Sequence, residues 1–175
     1  MNVIFPLEIS PLDTALDRML ADVAAAARAP LARRHLAVAE ALAPHMQDPR
    51  LLSGRDCPCN PERYVRHLLH ADPAGEYAVV ALVWRPGQMS PVHAHRTWCA
   101  LGVHQGVLSE HYYVPGAPPR LDAVHLRRAG DVSHGPADPD LIHRLANCSA
   151  EVAVSIHVYG VPFEDFGDKV NLILG

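Results

Sequence analysis

The sequence predicts a mainly β protein, a barrel or double-sheet jelly roll preceded by α-helices. Apolar residues recur at helical spacing over roughly the first seventy residues, and short β-rich runs bounded by turn residues follow Gly75. The 16 prolines also favour a fold with many turns. At 175 residues the chain fits a single domain with a full core. We divide that domain into a helical N-terminal segment, 1–72, and a barrel, 76–175.

Three helices are predicted in the N-terminal segment. The first starts at residue 11 and ends before Pro30, and the second covers 31–43 and is stopped by a proline. A polar loop over 47–60 follows. Asn60, with a proline and a glutamate directly after it, is typical of a helix start, so a short third helix is expected from there to about residue 72.

Six strands are predicted after Gly75, each bounded by Gly, Pro, Asn or Asp. They cover 77–84, 99–103, 107–114, 123–127, 141–145 and 152–159. Near the end of the chain, 170–174 is expected to add an edge strand. Closely spaced strands separated by turn residues are typical of a barrel or a jelly roll.

Charge and composition exclude several classes of function. The net charge is −4 and no cluster of Lys and Arg is present, so we expect no nucleic-acid partner. No apolar run reaches membrane length, and residues 1–16 lack the basic start of a signal peptide. We therefore expect a cytoplasmic protein whose four cysteines are free thiols. The composition leaves the oligomeric state open.

A pair of histidines, His93 and His95, stands in a segment framed by glycines. Residues i and i+2 of a strand point to the same face, so both rings can reach one ion. Because the chain has 12 histidines, such a pair could arise by chance. The residues around the pair therefore decide whether it indicates a metal site. Gly87 precedes His93 by a gap of five residues, and six residues separate Cys99 from Gly106.

A second series runs from Gly130 through Pro136 to His143 and Asn147. A third imidazole from a neighbouring strand would complete a facial set of ligands and leave coordination positions open. Open positions on a redox-capable metal indicate chemistry rather than scaffolding. The sequence therefore predicts a metal site formed by the earlier histidine pair and His143.

These two segments resemble the motifs of the cupin superfamily, G-x5-H-x-H-x3,4-E-x6-G and G-x5-P-x-G-x2-H-x3-N. The first motif is matched except that Cys99 stands where the metal-binding glutamate belongs. The second has Asp138 for its middle glycine and two extra residues before the histidine. The resemblance implies the cupin double-stranded β-helix, a jelly-roll barrel, with a metal site inside it.

Four further segments resemble, in order and spacing, the thiol dioxygenases, the family of cysteine dioxygenase and 3-mercaptopropionate dioxygenase. They read RYVRHLL from Arg63, VALVWRPGQMSPVH from Val80, IHRLAN from Ile142 and VSIHVYG from Val154. The resemblance covers roughly residues 60–163. It implies a non-haem ferrous ion, Fe(II), held by His93, His95 and His143. Nickel or zinc could replace iron in purified protein, because imidazole sites bind those metals at least as strongly.

The charge of such a site fits the reaction that the resemblance implies. Three neutral imidazoles leave two positive charges uncompensated, so an anionic ligand such as a thiolate is favoured. The partners implied are a small-molecule thiol and O2, with both oxygen atoms added to sulfur to give a sulfinic acid. L-cysteine is the favoured substrate because Arg66 matches the arginine that binds the substrate carboxylate in cysteine dioxygenases. Tyr64 is expected to bind substrate beside it.

The resemblance also implies catalytic roles for Ser155, His157, Tyr159 and Cys99. The first three alternate along one strand and share a face, and in the family they form a hydrogen-bonded relay. Without the resemblance, alternating polar residues would more simply face solvent. In mammalian-type cysteine dioxygenases a cysteine near the position of Cys99 forms a thioether with the pocket tyrosine, here Tyr159. Cys99 lies one residue closer to His95, so the alternative is a small buried packing residue.

Two alternatives to a cysteine dioxygenase stay open at this point. The segment 80–98 looks closer to the 3-mercaptopropionate branch of the family, and Arg66 could be an ordinary solvated arginine. Outside the family, a metal-binding cupin with another role, such as an isomerase or a ligand sensor, would share the same motifs, because a fold alone does not name a reaction.

Overall fold

The computed structural model describes residues 14–174, in which two α-helices precede the sheets. Helix α1 is Ala15–Ala26, and α2 is Leu31–Leu42, followed by a 3₁₀ turn, Ala43–His45. Thr14 caps α1: its hydroxyl accepts a hydrogen bond from the backbone N–H of Asp17 at 3.1 Å. Both helices were predicted; the predicted first-helix residues 11–13 lie outside the described residues. Neither helix has the length and apolarity needed to cross a membrane.

Ten β-strands in two five-stranded antiparallel sheets make up the rest of the regular structure within residues 14–174, apart from a second 3₁₀ turn near the end. The strands are β1 Val65–Ala71, β2 Ala78–Trp84, β3 His93–His95, β4 Cys99–Gln105, β5 Val107–Val114, β6 Arg120–Arg128, β7 Val132–Gly135, β8 Asp138–Ala146, β9 Ala153–Tyr159 and β10 Asn171–Ile173. The orders are β1-β2-β9-β4-β7 and β10-β3-β8-β5-β6. The predicted fold class, a mainly β jelly roll with N-terminal helices, is confirmed.

Strand β1 departs most from the sequence prediction, because the short helix expected from Asn60 to residue 72 is wrong. The Asn60 side chain accepts a hydrogen bond from the Glu62 N–H at 2.8 Å, as a cap would, but the chain then extends. Arg66 lies opposite Leu82 of β2, a strand in which every residue is buried. Pairing with that strand outweighs the local preference for a helix. The sheet thus begins inside the segment predicted to be helical, and the single-domain organisation stays a prediction.

The six strands predicted after Gly75 are all present; β5 has the predicted bounds, and the other five have shifted ends. β6 and β8 extend beyond the predicted bounds on both sides, and β10 is the expected edge strand, paired with β3. The sequence did not predict β7, a four-residue strand whose residues do not alternate between apolar and polar.

The strands of the first sheet divide their side chains between two hydrophobic layers. In β2, Val79 and Ala81 pack in the cluster that contains the helices, whereas Val80, Leu82 and Trp84 pack in the cluster inside the barrel. This alternation is the period of two that a strand imposes. The inner faces of both sheets are therefore where polar side chains must find partners or bind a ligand.

Candidate metal centre

The structure brings together the three histidines predicted to bind a metal. His93 and His95 lie on β3, and His143 lies on β8 directly opposite His93. One ring nitrogen of each lies within 4.8 Å of the others, and all three side chains are buried. Strand β3 carries two of the histidines at i and i+2, and its partner β8 carries the third. The paired strands thus form a three-histidine metal-binding site.

Hydrogen bonds fix which nitrogen of two rings faces the site. Nδ1 of His93 donates to the carbonyl oxygen of Pro91 at 2.9 Å. Nδ1 of His143 donates to Oε1 of Glu110, also at 2.9 Å. In a neutral imidazole the other nitrogen then carries a lone pair. Both rings therefore present Nε2 as a metal ligand.

The arrangement of His95 fits a bound cation. Its Nε2 lies 2.9 Å from the Nε2 of His143, and its Nδ1 is buried without a hydrogen bond, although the Val170 carbonyl is near enough to favour the charged ring. Burial, with the neighbouring histidines second, lowers the pKa of His93 to about 4 and the pKa of His95 well below its usual value. Neutral rings converging on one point are the ligands that Fe(II), Ni(II) and Zn(II) accept.

Glu110 supports His143 from behind and was not predicted from the sequence. This carboxylate is 1% exposed and accepts hydrogen bonds from His143, from Nε of Arg127 at 2.8 Å and from the hydroxyl of Ser133 at 3.0 Å. Burial alone would raise the pKa of Glu110, but His143 and Arg127 lower it to about 2. An ionised carboxylate on a ligand histidine orients the ring and increases its basicity.

A small cavity lies beside the three histidines, which form part of its lining. Tyr64 and Arg66, the two predicted substrate-binding residues, line this cavity from β1 and the residue before it. The terminal guanidinium nitrogen of Arg66 lies 3.5 Å from the Tyr64 hydroxyl, and its Nε is buried without a partner. In the described part of the chain Arg66 forms no ion pair. The cavity therefore contains a guanidinium able to bind an anion.

A second unpartnered polar atom belongs to the same cavity. Asn171, on β10, lines it, and its side-chain oxygen is buried without a hydrogen bond to any residue that the structure describes. The sequence pointed to an edge strand here but not to a site residue. Arg66 and Asn171 together give the cavity one unsatisfied donor and one unsatisfied acceptor.

The three residues predicted to form a relay are joined by hydrogen bonds inside the barrel. The hydroxyl of Ser155 lies 2.8 Å from Nε2 of His157, and Nδ1 of His157 lies 3.0 Å from the Tyr159 hydroxyl. His157 and Tyr159 line the cavity. Burial, with Arg66 second, lowers the pKa of His157 to about 3, and burial raises the pKa of Tyr159. These residues do not face solvent, the alternative that the sequence left open.

Cys99 lies opposite Tyr159 in the register of β4 and β9. Both side chains are buried, and burial raises the pKa of the Cys99 thiol to about 12. Cys99 lines a second cavity together with His95, His143 and Glu110. The thiol is therefore neutral, and its place beside Tyr159 is compatible with either of the roles considered for it.

The fold and the site together define a cupin-type metal-binding protein with three histidine ligands. Within that class, the family model for cysteine dioxygenase type I matches residues 53–168. The chain belongs to this family of dioxygenase enzymes. The family is thus the one that the sequence motifs resemble.

Solved structures show the same fold. A conserved protein with a double-stranded β-helix domain from Klebsiella pneumoniae subsp. pneumoniae MGH 78578 superimposes with a TM-score of 0.51 and 19% identity, covering 67% of this chain and 90% of that one. Oxalate decarboxylase from Lactobacillus farciminis gives a TM-score of 0.50 and 18% identity, covering 67% of this chain and 33% of that chain. At these identities the likeness concerns the fold alone.

Proposed function

We propose that this chain is a non-haem Fe(II) thiol dioxygenase that converts a small carboxylate-bearing thiol, with L-cysteine favoured, into its sulfinic acid. The overall reaction, R–SH + O2 → R–SO2H, needs no external reductant. The observation that carries the proposal is the cavity itself. It combines a three-histidine site, an arginine that has no ion pair with any described residue, and a buried tyrosine hydrogen-bonded to a histidine.

His93, His95 and His143 would hold the metal, with Glu110 orienting His143. When bound, a ferrous ion would supply positions for a thiolate and for O2 and would stabilise the thiolate at neutral pH. The chain contributes neutral ligands, so the net positive charge is left for the anionic substrate. Zinc or nickel, which the same ligands accept, would bind without supporting the reaction.

Arg66 would bind the substrate carboxylate. Its planar guanidinium suits a carboxylate, and its buried Nε has no other acceptor within the described residues. Leaving such a donor unsatisfied costs roughly 1–3 kcal/mol, so a bound carboxylate would stabilise the cavity. Tyr64 stacks on Trp84 with ring centroids 4.3 Å apart, which would keep the Tyr64 hydroxyl in place beside Arg66.

The unpaired oxygen of Asn171 supports cysteine as the substrate. L-cysteine carries an ammonium group in addition to its carboxylate, and a side-chain oxygen without a partner can accept a hydrogen bond from it. The second candidate, 3-mercaptopropionate, lacks that group. One observation favours 3-mercaptopropionate: among residues 14–174 the cavity lining includes no carboxylate that could balance the ammonium charge of cysteine.

Tyr159 would act on the sulfur or oxygen atoms within the cavity. Its raised pKa keeps the phenol protonated at neutral pH, so it would serve as a hydrogen-bond donor rather than as a base. Replacing Tyr159 with Phe should lower turnover while leaving the iron content unchanged, because the ring remains and only the hydroxyl is lost.

Oxygen consumption by the iron-loaded protein tests the proposal. We expect uptake of one O2 per thiol consumed with L-cysteine, and slower uptake with 3-mercaptopropionate. A higher kcat/KM for 3-mercaptopropionate would reverse the choice of substrate. No uptake with either thiol would reject the dioxygenase and leave the isomerase or sensor roles.

A further inference from the structure

The relay does not end at Ser155. The indole Nε1 of Trp84 lies 2.9 Å from the Ser155 hydroxyl oxygen, on the side away from His157 in the hydrogen-bonded chain. Trp84 is 1% exposed, and the ring of Tyr64 stacks on it at an angle of 22°. An indole N–H can only donate. The first bond of the chain therefore has a fixed direction, from Trp84 to Ser155.

This fixed direction determines where the hydrogen of Ser155 points. Ser155 is fully buried, and within the described residues its hydroxyl has two hydrogen-bond neighbours, Trp84 and His157. Trp84 presents a hydrogen, so the only available acceptor is Nε2 of His157. If Nε2 instead carried a hydrogen, the hydroxyl would face two donors and its own hydrogen would be buried without an acceptor, at a cost of roughly 1–3 kcal/mol.

The same constraint then passes through His157 to Tyr159. A neutral ring that accepts at Nε2 carries its hydrogen on Nδ1. Nδ1 therefore donates to the Tyr159 oxygen, 3.0 Å away. Since that oxygen is the acceptor in this bond, the phenol hydrogen is left free. Tyr159 lines the cavity, so the hydrogen can be donated to a group bound there.

We infer that Trp84 is a positioning residue that makes the chain Trp84–Ser155–His157–Tyr159 run in one direction, so that Tyr159 presents a hydrogen to the cavity. The tautomer of His157 follows from these contacts together with the cavity: the opposite tautomer would leave the hydrogen of the fully buried Ser155 without an acceptor, whereas this one leaves the Tyr159 hydrogen at the cavity, where water can accept it. Its consequence for thiol oxidation rests on the proposed function. A donor aimed at the cavity would stabilise negative charge on the sulfur or oxygen atoms of the reacting group.

The nitrogen-15 NMR spectrum of the histidine rings tests this inference, since protonated and unprotonated ring nitrogens differ widely in chemical shift. The sample is the full chain, labelled at histidine and loaded with zinc, which is diamagnetic, without thiol. His157→Gln identifies the His157 signals by their loss. We expect the wild type to carry a protonated Nδ1 and an unprotonated Nε2. The opposite tautomer would overturn the inference.

Two variants test whether Trp84 is the cause. Trp84→Phe keeps an aromatic ring but removes the donor to the Ser155 oxygen, so the hydroxyl is no longer held with its hydrogen toward His157 and the Nε2 shift should move toward the protonated value. Trp98→Phe is the matched control, because Trp98 is buried but gives no hydrogen bond to the relay in residues 14–174. If Trp84→Phe does not fold, Ser155→Ala should release the tautomer in the same way. An unchanged pure Nδ1–H tautomer in the folded variant would overturn the role of Trp84.

These readings do not depend on activity. If the wild type shows the expected tautomer but oxidises no thiol, the proposed function fails and the directed relay stands. If it oxidises thiols with the opposite tautomer, the function stands and the relay direction is wrong.

Discussion

Arg66 and Glu110 carry opposite charges near the three histidines, Arg66 in the lining of the cavity beside them and Glu110 in the lining of a second cavity, and their surroundings differ. Glu110 has its hydrogen bonds satisfied by His143, Arg127 and Ser133, so its charge is already compensated within the protein. Arg66 has a buried Nε without a partner and no ion pair among residues 14–174. A compensated buried charge is structural support, whereas an uncompensated one beside a cavity indicates a ligand of opposite charge.

Replacing Arg66 with Ala should lower kcat/KM for L-cysteine by roughly ten- to a hundredfold. The loss corresponds to one charged hydrogen-bonding partner, about 1.5–3 kcal/mol. Arg85→Ala, which removes an exposed arginine at the end of β2, serves as the control and should change little. The test also uses 2-aminoethanethiol, a thiol without a carboxylate. If Arg66→Ala reduced oxidation of both thiols equally, carboxylate binding by Arg66 would be wrong.

Replacing Glu110 with Gln should weaken metal binding by about 10- to 100-fold while the protein remains folded. A neutral amide can still accept the hydrogen bond from His143, but it loses the charge that increases the basicity of the ring and pairs with Arg127. Zinc titration by calorimetry measures the affinity, and circular dichroism checks the fold. The exposed Glu151→Gln is the control. Unchanged affinity in Glu110→Gln would show that the carboxylate has no part in metal binding.

Among individual residues, the sequence predicted the metal-binding histidines but not the residues that support the site from a distance, for a physical reason. The three histidines belong to motifs with fixed spacing, so their convergence could be expected. Glu110 and Trp84 act through partners that lie 33 and 71 positions away in the chain, and such contacts depend on the pairing of strands. For Glu110 the available signal was an acid in the middle of a predicted strand, on the same face as Leu108, which is buried.

Whole strands decide which side chains share a face, and here the relation of β4 to β9 matters most. Cys99 and Tyr159 are directly opposed in this antiparallel pair. Opposed residues have Cβ atoms about 4.5–5.5 Å apart and point to the same side of the sheet. The two side chains are therefore neighbours, even though 60 positions separate them in the sequence.

We predict that repeated turnover of the iron-loaded protein in air joins Cys99 to Tyr159 through a thioether. Forming the carbon–sulfur bond breaks the S–H bond and one ring C–H bond, and O2 takes up the two protons and two electrons as H2O2. Mass spectrometry should find a linked peptide lighter by two hydrogens than the sum of the separate ones. Cys99→Ala, which cannot form the bond, is the control. Recovery of only unmodified peptides after many turnovers would leave Cys99 as a packing residue.

The error over β1 shows the limit of local sequence signals at this scale. Asn60 and the two residues after it have the pattern of a helix start, and the asparagine does cap the backbone. The following residues become a strand because the buried edge of β2 is available to pair with them. That partner comes later in the chain and is invisible to a local pattern. The change matters for the site, because a strand places Tyr64 and Arg66 on one side, toward the cavity.

In the molecule as a whole, two sheets bring one cavity together from distant segments. Arg66 comes from the first sheet, the three histidines and Asn171 from the second, and the relay from the first sheet again. The overall class of fold was predictable because turns, strand lengths and motif spacing are local. The family resemblance predicted most residues of the cavity, but not Trp84 or Asn171, whose places depend on how the two sheets face each other. The family indicates a dioxygenase-type enzyme, and the cavity contains a three-histidine site that could hold the metal of such an enzyme.

Oxidation of L-cysteine under oxygen-18 gas tests the central claim most directly. The iron-loaded wild type is incubated with the thiol in labelled O2 and ordinary water, and the product is measured by mass spectrometry. We predict a sulfinic acid that carries two heavy oxygen atoms, with zinc-loaded protein giving none. A product with oxygen from water, or a disulfide as the only product of oxygen uptake, would contradict the assignment as a thiol dioxygenase.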